Sequence, residues 1–164
     1  MTRPIGPRRT GVLVGVLAAA LCVLTTLAGG GLVSVAAADR DPVQEYRSRF
    51  APDLLARKEA IDEIAREIDA DPSVGRRAGR YGTEVVPAIG ALVTEAAAYR
   101  APTTSIAAAH DHAVVALRLA QQACAETARS YRTGGDTALL ARALRHSDDE
   151  AIRWRRWIDA VLAL

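Results

Sequence analysis

The side chains best equipped for chemistry in this sequence are Cys124, three histidines and a run of arginines and tryptophans near the C-terminus. Cys124 and His146 form the pair with most capacity for a reaction. A cationic imidazole beside a thiol lowers the thiol's pKa and favours the nucleophilic thiolate. Against this stands the ordinary behaviour of a lone cysteine as a small buried hydrophobe, and no third residue is positioned to orient His146. His110 and His112 are two residues apart, so on a helix they point about 200° from each other and cannot chelate one ion. His110 and Cys124 share a helix face but lie roughly 21 Å apart along it. A ferritin-like di-iron site needs two Glu-x-x-His pairs, and the sequence holds none. These spacings assign no metal and no cofactor; His110 is expected to be satisfied by the carboxylate of Asp159.

The second constellation is Arg153-Trp154-Arg155-Arg156-Trp157. Arginine can reach anionic headgroups and tryptophan favours a membrane interface, so Arg153, Arg155, Arg156 and Trp157 are candidates for contact with a membrane surface or a protein partner. Helical spacing places Trp154 in the core, with Trp157 capping its edge.

These groups must be carried by helices, because four segments repeat apolar residues at alternating three- and four-residue intervals. The first stripe is Leu54, Ile61, Ile64 and Ile68, with one gap to be filled by Arg57 or Lys58. Pro52 predicts a break or fresh start just upstream. The second helix is predicted to begin after Gly82 with Thr83 as N-cap, and its stripe is Val85, Ile89, Leu92, Ala96 and Tyr99. The third runs from about Thr104 to Arg132, with His110, Ala113, Leu117, Ala120, Cys124, Thr127 and Tyr131 on its seam. Gly134-Gly135 ends it, Asp136 caps the fourth, and the fourth seam reads Leu140, Leu144, Ser147, Ala151, Trp154, Ile158 and Val161. Short connections predict an all-α, up-down-up-down antiparallel four-helix bundle. The glycine turn sets a register in which facing residues of the third and fourth helices have numbers adding to about 269.

The stretch from Leu55 to Ile64 resembles the opening helix of all-helical chorismate mutases, some of which are exported. The likeness covers ten residues, and it would imply several inward arginines or lysines gripping a dicarboxylate. Arg57 is the only such residue placed on a seam, so the rest of that site has no counterpart. Arg57 therefore reads as a side chain that covers apolar surface with its stem and keeps its charge in water.

Upstream of the helices, residues 11–38 carry no charged side chain, and Arg3, Arg8 and Arg9 precede them. This layout resembles a Sec-type or Tat-type bacterial leader. Ala36-Ala37-Ala38 fits the small-x-small cleavage rule, while the length of the apolar run also suits an uncleaved signal anchor. Residues 1–38 are thus a signal peptide or a signal-anchor transmembrane helix. In either case positive charge stays inside and residues 39–164 lie outside the cytoplasm, secreted or anchored to the cell membrane. That exported part holds 18 basic and 19 acidic residues, a net charge of −1, which argues against nucleic acid as a partner. Since Cys22 lies in the leader, Cys124 has no partner for an intramolecular disulfide. The expected function is non-catalytic contact with a partner protein or the cell envelope. A small-ligand, metal or haem carrier is the alternative, and an enzyme ranks below both.

Overall fold

The structure, a computed structural model, describes residues 41–164. The leader and its cleavage point after Ala38 lie outside them. Among the described residues there is no strand, and four helices make up the chain. Helix α1 (42–69) joins Pro42–Glu45, a wide π turn at Tyr46–Phe50, and Ala51–Asp69. Helix α2 (74–98) is constructed in the same way, with Val74–Arg80, a π turn at Tyr81–Val85, and Val86–Ala98. Helix α3 is Thr104–Arg132 and α4 is Thr137–Ala163.

Capping defines these four units. Each helix opens on a side chain that accepts a backbone N–H of the first turn: Asp41 from Val43, Ser73 from Arg76, Thr103 from Ile106, and Asp136 from Ala138 and Leu139. Such caps satisfy N–H groups that have no partner within the helix. The internal junctions at Phe50 and Val85 have helical dihedrals and no side-chain cap, so the helices run through them.

Two sequence expectations are corrected here. Pro52 does not break α1, and the second helix begins at Val74, not after Gly82. Both corrections have one cause. The N–H of Ala51 bonds to the carbonyl of Tyr46, and that of Val86 to the carbonyl of Tyr81, five residues back in each case. A proline follows each of these donors directly, Pro52 after Ala51 and Pro87 after Val86. Proline clashes with the carbonyl four residues earlier and lacks an N–H, and a widened turn just ahead of it lets the helix continue. Thr83 is no cap; its hydroxyl donates to the carbonyl of Gly79 one turn earlier.

The core combines large side chains from all four helices with a run of small ones on α3. Ile68, Ile89, Leu92, Ile106, Leu117 and Trp157 are almost fully buried. Ala109, Ala113, Ala116, Ala120 and Ala123 give α3 a flat, buried surface that neighbours can approach closely. At Gly90 an added Cβ would come within 3.1 Å of Gln121 on α3, so α2 and α3 lie close at that point. The predicted α3–α4 register is met by Glu126, which accepts from Arg142 at 3.0 Å. Gly134 and Gly135 make the turn at φ +78° and +97°, angles that suit glycine.

The face of α4 differs from the predicted seam. Leu139, Ala143, Trp157, Ile158 and Val161 are buried, whereas Leu144 is 41 % exposed. Up to Trp157 the buried face lies one residue earlier than the run of leucines suggests, and it includes the half-buried Glu150, while Ile158 and Val161 are buried where the seam places them.

Candidate functional site

Polar groups converge in the interior where the start of α1 meets the end of α4. The indole Nε1–H of Trp157 donates to Tyr46 Oη at 3.1 Å, and Tyr46 Oη lies 3.1 Å from His110 Nδ1. His110 Nε2 lies 2.8 Å from the carbonyl of Ala96. A carbonyl only accepts, so Nε2 carries the proton, and Nδ1 of the neutral ring accepts from the Tyr46 hydroxyl. The chain Trp157 to Tyr46 to His110 to Ala96 therefore has one consistent direction, with each buried donor and acceptor used. Burial holds the His110 pKa below its ordinary value, against the opposing pull of the Ala96 carbonyl and Asp111. Burial likewise pushes the Tyr46 phenol up to about 12, although the Trp157 N–H favours the phenolate. Phe50 and Tyr99 close the cluster, with rings 4.2 Å apart at their centroids and Tyr99 4.8 Å from the His110 ring.

This arrangement corrects three expectations. His110 is satisfied by Tyr46 and Ala96 and not by Asp159, which is exposed. Trp157 is the core residue, 1 % exposed, and Trp154 is its half-buried neighbour, in an edge-to-face contact at 5.1 Å. Trp157 is thereby removed from the surface-contact candidates. Of the others, Arg155 and Arg156 are exposed and Arg153 is half-buried.

A second polar group is centred on Lys58, the only lysine of the chain. It fills the gap in the α1 stripe and is buried, while Arg57 is turned outward in a bidentate pair with Glu95 at 2.6 Å. Lys58 Nζ meets Asp62 at 2.7 Å and Glu150 of α4 at 2.9 Å. Trp154 Nε1 donates to the same Glu150 oxygen at 3.1 Å. Burial works against the ammonium, but Glu150 and Asp62 outweigh it and hold the Lys58 pKa above the ordinary lysine value. The inward cation is thus already gripped by two carboxylates of the protein itself.

At the other end of α1, Asp69 accepts from Tyr81 at 3.1 Å and Tyr131 at 2.8 Å, and Arg77 lies 4.5 Å above the Tyr131 ring. Cys124 is half-buried on this side, close enough to Tyr81 to help raise its pKa, which burial and then Asp69 lift first. His146 lies with Nε2 3.8 Å from Glu126 Oε2. Among the described residues no three of His, Cys, Asp and Glu are grouped to hold a metal ion.

The chain matches no protein-family model, no curated protein and no solved structure.

Sequence reasoning missed the Lys58–Glu150 and Tyr46–His110 contacts because both join α1 to distant helices. A signal was nonetheless present for the first: Lys58 sits in an otherwise apolar stripe.

Proposed function

We propose that residues 39–164 form an exported, non-catalytic module that is secreted or tethered by its leader and acts by contact with the cell envelope or a protein partner. Its four helices form an up-down-up-down antiparallel bundle in this reading. Support comes from the order of the contacts: Arg57–Glu95 and Asp69–Tyr81 join α1 to α2, and Ser130–Asp136 and Glu126–Arg142 join α3 to the start of α4. In each set, moving forward on one helix means moving backward on the next.

The observation that carries the contact reading is the outward face of α4. Leu144, Ile152 and Leu162 are three of the four large apolar side chains exposed among the described residues. By the helical turn they share an arc of roughly 120° with Arg145, Arg155 and Arg156, opposite the buried face. None of these arginines is ion-paired with a described residue. An apolar stripe edged by unpaired guanidinium groups suits an anionic lipid surface or an acidic partner. The non-catalytic part of the reading is supported by Lys58, His110 and Tyr46, whose polar atoms are already engaged within the protein.

Co-sedimentation with vesicles containing phosphatidylglycerol tests this directly. Trp157 emission is a poor reporter, since its indole is buried without any membrane. Binding at low salt that falls about tenfold or more in R155E/R156E supports the envelope arm, given about 1 kcal/mol per basic residue near an anionic surface. No binding by the native protein moves the reading to the protein arm, where the same variant should lose a partner recovered by crosslinking. Loss of neither interaction in the variant overturns it.

A further inference from the structure

An open cleft of about 390 Å³ lies between the end of α2, the connection that follows it, and the first turns of α3. Its lining includes Tyr99, Arg100, His110, Asp111, Val114 and Arg118. We infer that this cleft binds a small organic monocarboxylate with an aromatic or apolar body, an activity beyond the contact role of α4.

Four observations converge on that ligand class. First, the volume falls within the range of small-molecule sites, roughly 300–1,000 Å³. Second, Arg100 and Arg118 reach the cleft from separate elements, and neither is ion-paired with a described residue. Six other arginines, Arg49, Arg57, Arg66, Arg76, Arg80 and Arg142, have carboxylate partners, and Arg145, Arg155 and Arg156, which do not, lie outside this lining. Two unpaired guanidinium groups at one concavity form a carboxylate-binding pair, with the fork geometry that suits bidentate contact.

Third, the apolar wall is rigid. Tyr99 is held against Phe50 and His110, and both His110 nitrogens are already engaged by Tyr46 and Ala96. The imidazole is itself buried against Tyr46, Phe50 and Tyr99, so the wall offers a ligand no free ring nitrogen, which favours an apolar or aromatic body over a hydrogen-bonding one. Fourth, Asp111 stands in the same lining and forms no ion pair with a described residue. It reduces the formal charge of the lining to +1, which suits one carboxylate and opposes a phosphate dianion.

The test is a titration of the full-length protein with phenylacetate, benzoate and hexanoate, read by ligand-observed NMR and calorimetry. Saturable one-to-one binding is expected for at least one of these, with benzyl alcohol and phenyl phosphate weaker. R100A and R118A should each weaken it about ten- to a hundredfold, the range for a hydrogen bond to a charged group. D111N should tighten it. Both arginines are exposed, and far-ultraviolet circular dichroism of each variant verifies that folding is intact. Absence of saturable binding for all three carboxylates overturns the inference, as does binding that survives R100A/R118A or is matched by benzyl alcohol. Loss of vesicle binding in R155E/R156E with carboxylate binding retained would show the two roles to be independent.

Discussion

Trp157 and Tyr46, 111 residues apart in sequence, share a buried hydrogen bond that ties the last helix to the first turns of α1. Because the Tyr46 hydroxyl also donates to His110, one oxygen satisfies two other buried groups. Tyr46→Phe leaves the Trp157 N–H and His110 Nδ1 without a partner while keeping the ring. A loss of about 1–3 kcal/mol for each orphaned group sets the expected range, measured as a shift in the urea midpoint. Trp157→Phe keeps the Tyr46–His110 bond but leaves a cavity in place of the largest fully buried side chain, so its cost comes from packing and not from orphaned groups. A loss below about 1 kcal/mol for Tyr46→Phe would contradict the shared hydrogen bonds.

The pH dependence of stability follows from His110. Its folded-state pKa lies below the ordinary value, chiefly because of burial, so the unfolded chain binds the proton more readily. The neutral ring's contribution is therefore complete above about pH 6.5 and is lost as pH falls through that value towards the folded pKa. Urea unfolding between pH 8 and 5 should show stability declining with acid, and His110→Gln should remove much of that slope. Glu84 and Glu95, lowered by their hydrogen bonds to Arg80 and Arg57, act in the more acidic range and leave this window clear.

Within the Lys58 group the two carboxylates are unequal. Glu150 is 13 % exposed and Asp62 44 %, so water replaces Asp62 more readily. Glu150→Ala should be the more damaging substitution, approaching the roughly 3–5 kcal/mol typical of breaking a buried pair. The double variant K58M/E150L should recover most of the loss, because apolar replacement of such a pair is often neutral or better. Thermal unfolding of Glu150→Ala, Asp62→Ala and the double variant decides the order.

Two kinds of glycine should respond oppositely to alanine. Gly135→Ala places a Cβ at φ +97° and should cost about 1–2 kcal/mol. Gly79 lies within the helical segment Val74–Arg80, where an added Cβ would meet nothing within 4 Å. Gly79→Ala should stabilise by about 0.4–1 kcal/mol through the unfolded chain and helix propensity. A thermal shift of the same sign for both would refute the distinction.

Much of α3 and of its connection to α4 is legible in the sequence. The small-residue seam, the glycine pair and the Asp136 cap are local signals, and the Glu126–Arg142 contact falls where the turn requires. The end of the α4 face, Ile158 and Val161, is legible, but the rest is not, because Leu140, Leu144 and Trp154 are more apolar than Ala143 and Glu150 in the positions that are used. Glu150 turns inward only because Lys58 does, and neither residue announces the other across 92 positions. Likewise, Pro52 suggests a break because a one-residue widening of the helix leaves no mark in composition. Among the contact candidates, Arg155 and Arg156 are exposed as their spacing suggests. Trp157 escapes such reasoning, because the hydroxyl that accepts its N–H lies at the opposite end of the folded chain.

The wide turn at Tyr46–Phe50 resets the phase of α1. Tyr46 and Ala51 are both buried although five residues separate them, a spacing that an uninterrupted α-helix would place about 140° apart. Upstream and downstream of the turn, α1 therefore follows two separate heptad frames. The downstream frame sets Leu54, Lys58 and Ile61 against the other helices, while the upstream frame is free to aim a single tyrosine at His110 and Trp157. In effect the chain carries a one-residue insertion: deleting that residue would leave Tyr46 about 40° from Ala51 on a regular α-helix, whereas regularising the turn with every residue kept would swing the phenol about 140° out of its network.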